Sequence, residues 1–226
     1  MKMIKNIFVA CDVSSQKEIL ELLNLIHEDI SGIKIGLQYI TQRNSDDIGE
    51  LLQFNKPIFY DGKFFDIKNT LVESIKSLGE LKVNYATVHL LNGLDALKAA
   101  NVAAQKINLK LLGVSVLTSF DNNDLTSLGF KDEVENQVER LIKIAKEANL
   151  YGVICSPLEI KMIKKIAPSL KCFTPGIRIN NNNDDQKRTM NANQAIKAGS
   201  DCLIIGRPIT KGNPKENIKK ILSSIE

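Results

Sequence analysis

The sequence predicts a (β/α)₈ barrel, a single domain over residues 1–226. Three observations lead there. Short apolar runs alternate with amphipathic stretches roughly eight times, and strands alternating with helices imply a parallel sheet. No linker or change of composition interrupts the alternation. The first strand is followed by Cys11-Asp12-Val13-Ser14-Ser15, without the glycine-rich turn that an open doubly wound sheet wants there. The closed barrel is therefore preferred to the open sheet.

Taken in order, Ile7–Cys11 is apolar throughout and reads as the first strand. Residues 14–30 form its helix, with Leu20, Leu23, His27 and Ile30 at three- and four-residue steps. Gly32–Gly36 gives the second strand, and residues 46–54 the second helix. The apolar run Pro57-Ile58-Phe59-Tyr60 is the third strand, and its helix covers residues 69–78. Residues 84–90 make the fourth strand and 94–107 its helix. Residues 109–116 make the fifth, with a helix over 133–148. Residues 152–155 and 158–166 form the sixth unit, Lys171–Thr174 and residues 191–198 the seventh, and Cys202–Ile205 and residues 215–225 the eighth.

Composition bounds the function. Hydrophobic residues are 43% of the chain and charged residues 25%, an ordinary balance for a soluble protein. The net charge of +4 is modest, its lysines are scattered, and only 5% of residues are aromatic, which disfavours a nucleic-acid surface. A mild positive balance suits an anionic small molecule through electrostatic steering. No apolar run approaches ~18 residues, and no basic-then-apolar leader is visible, so a cytoplasmic protein away from membranes is expected. Cys11, Cys155, Cys172 and Cys202 are far apart and form no CxxC pair. They read as buried thiols, and no metal site is expected.

In such a barrel the chemistry belongs at the C-terminal strand ends. Those ends carry Asp12, Lys34, Asp61 with Lys63, His89, residues 115–119, Ser156, Pro175-Gly176 and Gly206-Arg207. The densest group is Asp61-Gly62-Lys63-Phe64-Phe65-Asp66. Residues two apart on a strand share a side, so Asp61 and Lys63 leave the third strand together, with Asp66 at the turn into the next helix. The bland alternative is a surface ion pair with Asp66 as a helix cap. At the eighth end, Gly206 would let a phosphate approach backbone N–H groups, and Arg207 offers a fork of donors. Pro175, Arg178 and the polar run leading to Gln186 read as a loop over the rim, a candidate lid. His27 reads as a core-edge histidine, and nothing requires a role for His89.

These segments together resemble the orotidine 5′-phosphate decarboxylase family. The resemblance rests on Asp-x-Lys-x-x-Asp-Ile-x-Asn-Thr over Asp61 to Thr70, and on Asp12, Lys34, Leu117-Thr118-Ser119, Thr174-Pro-Gly-Ile-Arg178, Asp185-Gln186-Lys187-Arg188 and Gly206-Arg207-Pro208. It spans nearly the whole chain. It implies a barrel working as a homodimer, without cofactor or metal, that converts orotidine 5′-monophosphate to uridine 5′-monophosphate and CO₂. It implies Lys63 as proton donor in an array with Asp61, Lys34 and Asp66, the last reaching across the dimer. It further implies Asp12 and Lys34 at the ribose hydroxyls, Thr118 and Ser119 at the pyrimidine, Gln186, Gly206 and Arg207 at the phosphate with Arg178 beside them, and Thr70 and Pro175 as binding residues.

Two positions depart from the family pattern. Gly62 stands where an apolar residue is expected, and Lys68 where proline usually precedes Asn-Thr. Neither removes a charged group. Three other readings compete: a sugar-phosphate enzyme of the same superfamily using Mg²⁺, a catalytically silent nucleotide-binding barrel, and an RNA-binding protein. The first would carry a glutamate ligand where this chain has Lys34, and a lysine there repels the ion. The intact Lys63 and aspartates weigh against the second, and composition against the third.

Overall fold

A computed structural model describes residues 6–13, 15–42, 44–178 and 188–225. Eight parallel strands follow one another around a closed barrel: β1 Ile7–Cys11, β2 Gly32–Gly36, β3 Ile58–Phe64, β4 Tyr85–His89, β5 Lys110–Val114, β6 Gly152–Ile154, β7 Lys171–Thr174 and β8 Cys202–Ile205. β1 pairs with both β2 and β8, which closes the ring. The helices around it are α1 Gln16–Ile26, α2 Leu37–Ile40, α3 Ser45–Glu50, α4 Lys68–Ser77, α5 Leu94–Lys106, α6 Asn122–Ser127, α7 Val134–Glu147, α8 Ile160–Ile166, α9 Ala192–Ala198, α10 Arg207–Thr210 and α11 Pro214–Ser224.

Local chemistry starts many of these helices. Ser15 caps α1 by accepting from the Glu18 amide. Asn44 with Asp47, Asp121 with Asp124, and Asn191 with Gln194 form reciprocal capping boxes for α3, α6 and α9. Asn213 caps α11, whose first residue is Pro214. Each such cap satisfies amides that the first helical turn leaves without partners.

The period of two along each strand sorts the core into two layers. Ile7, Val9, Ile33, Ile35, Ile58, Leu203 and Ile205 face the helices and join the main core. Phe8, Ala10, Phe59, Leu112, Phe173, Cys202 and Ile204 face inward and form a separate cluster. Phe8 meets Tyr85 and Phe173 edge-on, at centroid distances of 5.5 and 6.0 Å. Gly32 is required there, because a Cβ would lie 2.2 Å from the Phe8 ring. This aromatic floor fills the barrel beneath Lys34, which follows Gly32 on the inward row of β2.

Three features differ from the sequence expectation. β3 runs on to Phe64 rather than ending at Tyr60, so Asp61 and Lys63 lie within the strand. The register with β4 shifts between Tyr60 and Phe64, and this irregularity carries the charged pair past the regular ladder. The alternative in which Asp66 caps α4 does not hold; the N-cap position is Ile67, and Asp66 Oδ1 accepts from the Ile67 amide. The short helices α2, α6 and α10 were not expected, because four to six residues are too few to show a helical period.

The four cysteines are buried and free. Burial pushes the Cys11 thiol up to about 12, despite nearby Lys34. His27 is half-buried, its Nδ1 2.9 Å from the Leu23 carbonyl and its ring tilted on Phe54. Among the described residues, no helix is long and apolar enough to cross a membrane.

Candidate active site

Three neighbouring strands deliver the central charges. Lys34 comes from the inward row of β2, Asp61 and Lys63 from β3, and the hydroxyl of Thr87 from β4. Lys63 Nζ lies 2.9 Å from Asp61 Oδ2, and Lys34 Nζ lies 3.4 Å from the same oxygen. Lys34 also reaches Asp12 Oδ1 at 2.9 Å, just beyond β1. The result is a continuous chain Asp12–Lys34–Asp61–Lys63. Gly36 keeps room for its first link, since a Cβ would fall 2.9 Å from Asp12 Oδ1.

Burial and pairing oppose each other here. Burial pushes the Asp61 carboxyl up, but Lys34, Lys63 and the Thr87 hydroxyl prevail and hold it below the ordinary carboxylate range. Burial likewise pushes the Lys34 ammonium down, but Asp61 and Asp12 prevail and hold it above the ordinary lysine range. Both groups are therefore charged, and each depends on the other remaining so.

Lys63 has a backbone φ of 47°, a left-handed conformation uncommon for a lysine. Its amide donates to Thr87 Oγ1 at 2.8 Å, while the Thr87 hydroxyl donates to Asp61 Oδ1 at 3.0 Å. Thr87 thus fixes the unusual backbone and orients the carboxylate together. Asn92 holds the following turn: its Nδ2 donates to the carbonyls of Phe64 and His89, and its Oδ1 accepts from the Asp66 amide. Neither residue stands out by motif spacing. The available signal for Thr87 was its place on the inward row Tyr85, Thr87, His89, in an otherwise apolar strand. His89 closes that row, with its ring 5.7 Å from Phe65. Burial first, then the charge of Lys63, lowers its pKa.

The charged chain forms one wall of a cavity of ≈ 690 Å³ at the C-terminal mouth of the barrel, a size common among small-molecule sites. Thr118 and Ser119 line it after β5, Pro175 and Arg178 after β7, and Gly206 and Arg207 after β8. Packing does not demand the glycine at 206, where a Cβ would approach nothing closer than Ala10 at 3.4 Å. Its backbone is left open to the cavity. Arg178 also borders a second cavity of ≈ 360 Å³ beside α9 and α11.

Two expected site residues are not brought to this cavity. Asp66 and Thr70 are exposed on the face that also presents Phe65, 63% exposed, and Ile67, 73% exposed. Gln186 lies outside the described residues. Of the two departures, Lys68 pairs with Asp95 at 2.9 Å. Gly62 sits between the stacked rings of Tyr60 and Phe64, where a Cβ would come within 2.9 Å of Tyr60. An apolar side chain there would displace that ring.

Comparison with known proteins matches residues 5–221 to the family model described as orotidine 5′-phosphate decarboxylase / HUMPS. The chain is 38% identical over 221 residues to an orotidine 5′-phosphate decarboxylase of Wolbachia pipientis subsp. Culex pipiens (strain wPip), covering 97% of this chain and 98% of that one. It is 37% identical over 229 residues to the enzyme of Legionella pneumophila (strain Lens), covering 99% and 100%. The crystal structure of orotidine 5′-phosphate decarboxylase from Lactobacillus acidophilus superimposes with a TM-score of 0.86 at 29% identity, over 98% of this chain and 99% of that one. With the barrel, the cavity and these full-length matches in agreement, the chain belongs to the orotidine 5′-phosphate decarboxylase / HUMPS family.

Proposed function

We propose that the protein decarboxylates orotidine 5′-monophosphate to uridine 5′-monophosphate and CO₂, without metal or cofactor, and that Lys63 supplies the proton. The observation that carries this reading is the Asp12–Lys34–Asp61–Lys63 chain on the cavity wall. Breaking the bond from C6 to its carboxylate leaves the electron pair on C6, with no adjacent π system to spread it. A fixed ammonium can stabilise that carbanion and then protonate it. Lys63 is that ammonium, held by Asp61, and solvent restores its proton after the product forms. The substrate carboxylate would sit beside Asp61. Two like charges ~4 Å apart at an effective dielectric of ~20 repel by ~4 kcal/mol, an upper-end figure, and that repulsion disappears as CO₂ departs.

Asp12 and Lys34 are assigned to the ribose hydroxyls, Thr118 and Ser119 to the pyrimidine, and Gln186, Gly206 and Arg207, beside Arg178, to the phosphate. The sugar-phosphate branch of the family is the competing reading, since it too carries Asp-x-Lys-x-x-Asp. Lys34 weighs against it, because its ammonium occupies Asp61 Oδ2 and Asp12 Oδ1, oxygens a divalent cation would use. The test follows the ultraviolet absorbance of orotidine monophosphate with purified protein, with and without chelator. Turnover that resists chelation is expected. No turnover, or turnover that chelator abolishes, would remove the reading.

The same reading makes the working unit a homodimer. Asp66 does not touch its own Lys63 and stands on an exposed face with apolar neighbours, as a residue supplied to a second copy would. Two-fold contacts exchange the same residue in both directions. Mixing Lys63→Ala with Asp66→Asn under proven subunit exchange should therefore restore about a quarter of wild-type activity, because half the dimers are mixed and half their sites are intact. No recovery would place Asp66 in its own chain's site.

A further inference from the structure

The cavity wall that bears Thr118 and Ser119 is braced from behind by an ion pair outside the charged chain. Arg188 is the first described residue after the segment 179–187. Its Nη1 donates to Glu159 Oε1, and its Nη2 donates to the Leu117 carbonyl at 3.0 Å. Glu159 is buried, at 6% exposure, and its other oxygen accepts from the Ser156 amide at 2.9 Å. Burial pushes the Glu159 carboxyl up despite the facing guanidinium, so the pair occupies a costly position. The chain around Arg188 is further pinned to β7's exit: the Arg178 amide donates to the Met190 carbonyl, and the Met190 amide to the Gly176 carbonyl. The Arg188 side chain is itself only 14% exposed, so this is an interior arrangement and not a surface ion pair.

We propose that Arg188, seated on Glu159, is a positioning residue for the base of the bound nucleotide: its fork holds the Leu117 carbonyl and thereby sets Thr118 and Ser119 on the cavity wall. The inference rests on the reading of those two residues as pyrimidine ligands. One arm of the planar fork takes the carboxylate and the other takes the carbonyl. A lysine presents a single point charge and cannot serve both in that geometry. Arg188→Lys therefore keeps the charge balance with Glu159 while releasing Leu117.

The experiment measures binding of two ligands, uridine 5′-monophosphate and ribose 5-phosphate, to the wild-type protein, Arg188→Lys and Glu159→Gln. Ribose 5-phosphate keeps the sugar and phosphate but offers nothing to Thr118 or Ser119. In Arg188→Lys the uridine nucleotide should bind about tenfold more weakly, the scale of one weakened hydrogen bond to the base. Ribose 5-phosphate, which makes no such bond, should change by less than about twofold. Glu159→Gln keeps a group able to accept from Ser156 and should move the same ligand in the same direction. It serves as the second measurement if Arg188→Lys fails to fold in a thermal scan. Equal weakening of both ligands, or weakening of neither, overturns the proposal. If the wild-type protein binds neither ligand, the nucleotide reading itself fails, which is a different outcome.

Discussion

Thr87→Val removes one hydroxyl and keeps the shape of a fully buried side chain. Two hydrogen bonds go with it, the one from the Lys63 amide and the one to Asp61. A buried donor left without a partner costs about 1–3 kcal/mol, and a bond to a charged acceptor contributes about 1.5–3 kcal/mol. Asp61 keeps both ammonium partners, so its share falls at the low end. The expected loss is about 3 kcal/mol. At this chain length each kcal/mol shifts the melting temperature by roughly 2–4 °C, giving a drop of about 6–12 °C. Without its acceptor, the Lys63 backbone is no longer held at positive φ, so kcat should fall more than the affinity for uridine monophosphate. Thr87→Ser retains the hydroxyl and should recover most of the kcat. Thermal unfolding and steady-state kinetics on the three proteins decide the matter. A Thr87→Val protein that melts within about 2 °C of wild type and keeps its kcat would show that Thr87 does not hold the site.

Lys63→Ala should abolish turnover while uridine monophosphate still binds, because its interaction develops mainly in the transition state; a residual kcat above about a hundredth of wild type would reject it as proton donor. Arg207→Ala should damage the reaction of the phosphorylated substrate and leave the slow reaction of the bare nucleoside nearly unchanged, whereas equal losses on both would mean that Arg207 does not act through phosphate. Stability should fall with acid in two stages. His89 has its pKa lowered in the fold, first by burial and then by Lys63, so the unfolded chain takes up that proton more readily; the contribution is full above about 6.5 and declines as pH drops toward the lowered value. For Asp61, burial is outweighed by Lys34 and Lys63 and the pKa is lowered, so its contribution is present above about 3.9 and lost as pH falls through the folded value. Denaturant titrations across this range should show His89→Gln losing the first stage and keeping the second; an unchanged profile would clear His89 of any part in it.

The strands and most helices were legible because each carries its own signal. Apolar runs mark the strands, and Asn, Ser and Asp caps mark helix starts within a few residues. The path of β3 was not legible. Asp61-Gly62-Lys63 reads as a loop on composition, and only pairing with β4 across a register shift makes it strand. The charged chain could be anticipated from the same-side rule for Asp61 and Lys63. Its link to Lys34 came only through the family resemblance, since residue spacing does not report that neighbouring strands are level, with Gly36 opposite Asp61. Thr87 binds Lys63 and Asp61, and Asn92 binds Phe64 and Asp66, all more than twenty positions away, which no local pattern reports. Arg188 appeared in the sequence only as part of a motif, and its partners Glu159 and Leu117 come from two other loops.

Closure of the barrel does more than bury apolar surface. In an open sheet with the same strand order, β1 and β8 would be opposite edges, and Asp12 would lie far from Gly206. In the ring, Phe8 stands opposite Ile204 and Val9 opposite Ile205, so the next residues out of each strand meet above the seam. A Cβ at Gly206 would lie 3.8 Å from Asp12 Oδ2. The proposed sugar ligand and the proposed phosphate ligand are thus neighbours because the sheet closes there. On the far side of Lys34, β2, β3 and β4 supply the ammonium, the carboxylate and the hydroxyl that fix Lys63. The aromatic floor beneath excludes water from one side of this set, which strengthens each pairing and leaves the cavity as the open direction. Donors and charges anchored on strands need little reorganisation when negative charge develops in front of them. A ring of strands whose inward row changes from aromatic at Phe59 to charged at Asp61 is what sets this chain's buried lysine against the cavity instead of within the apolar core.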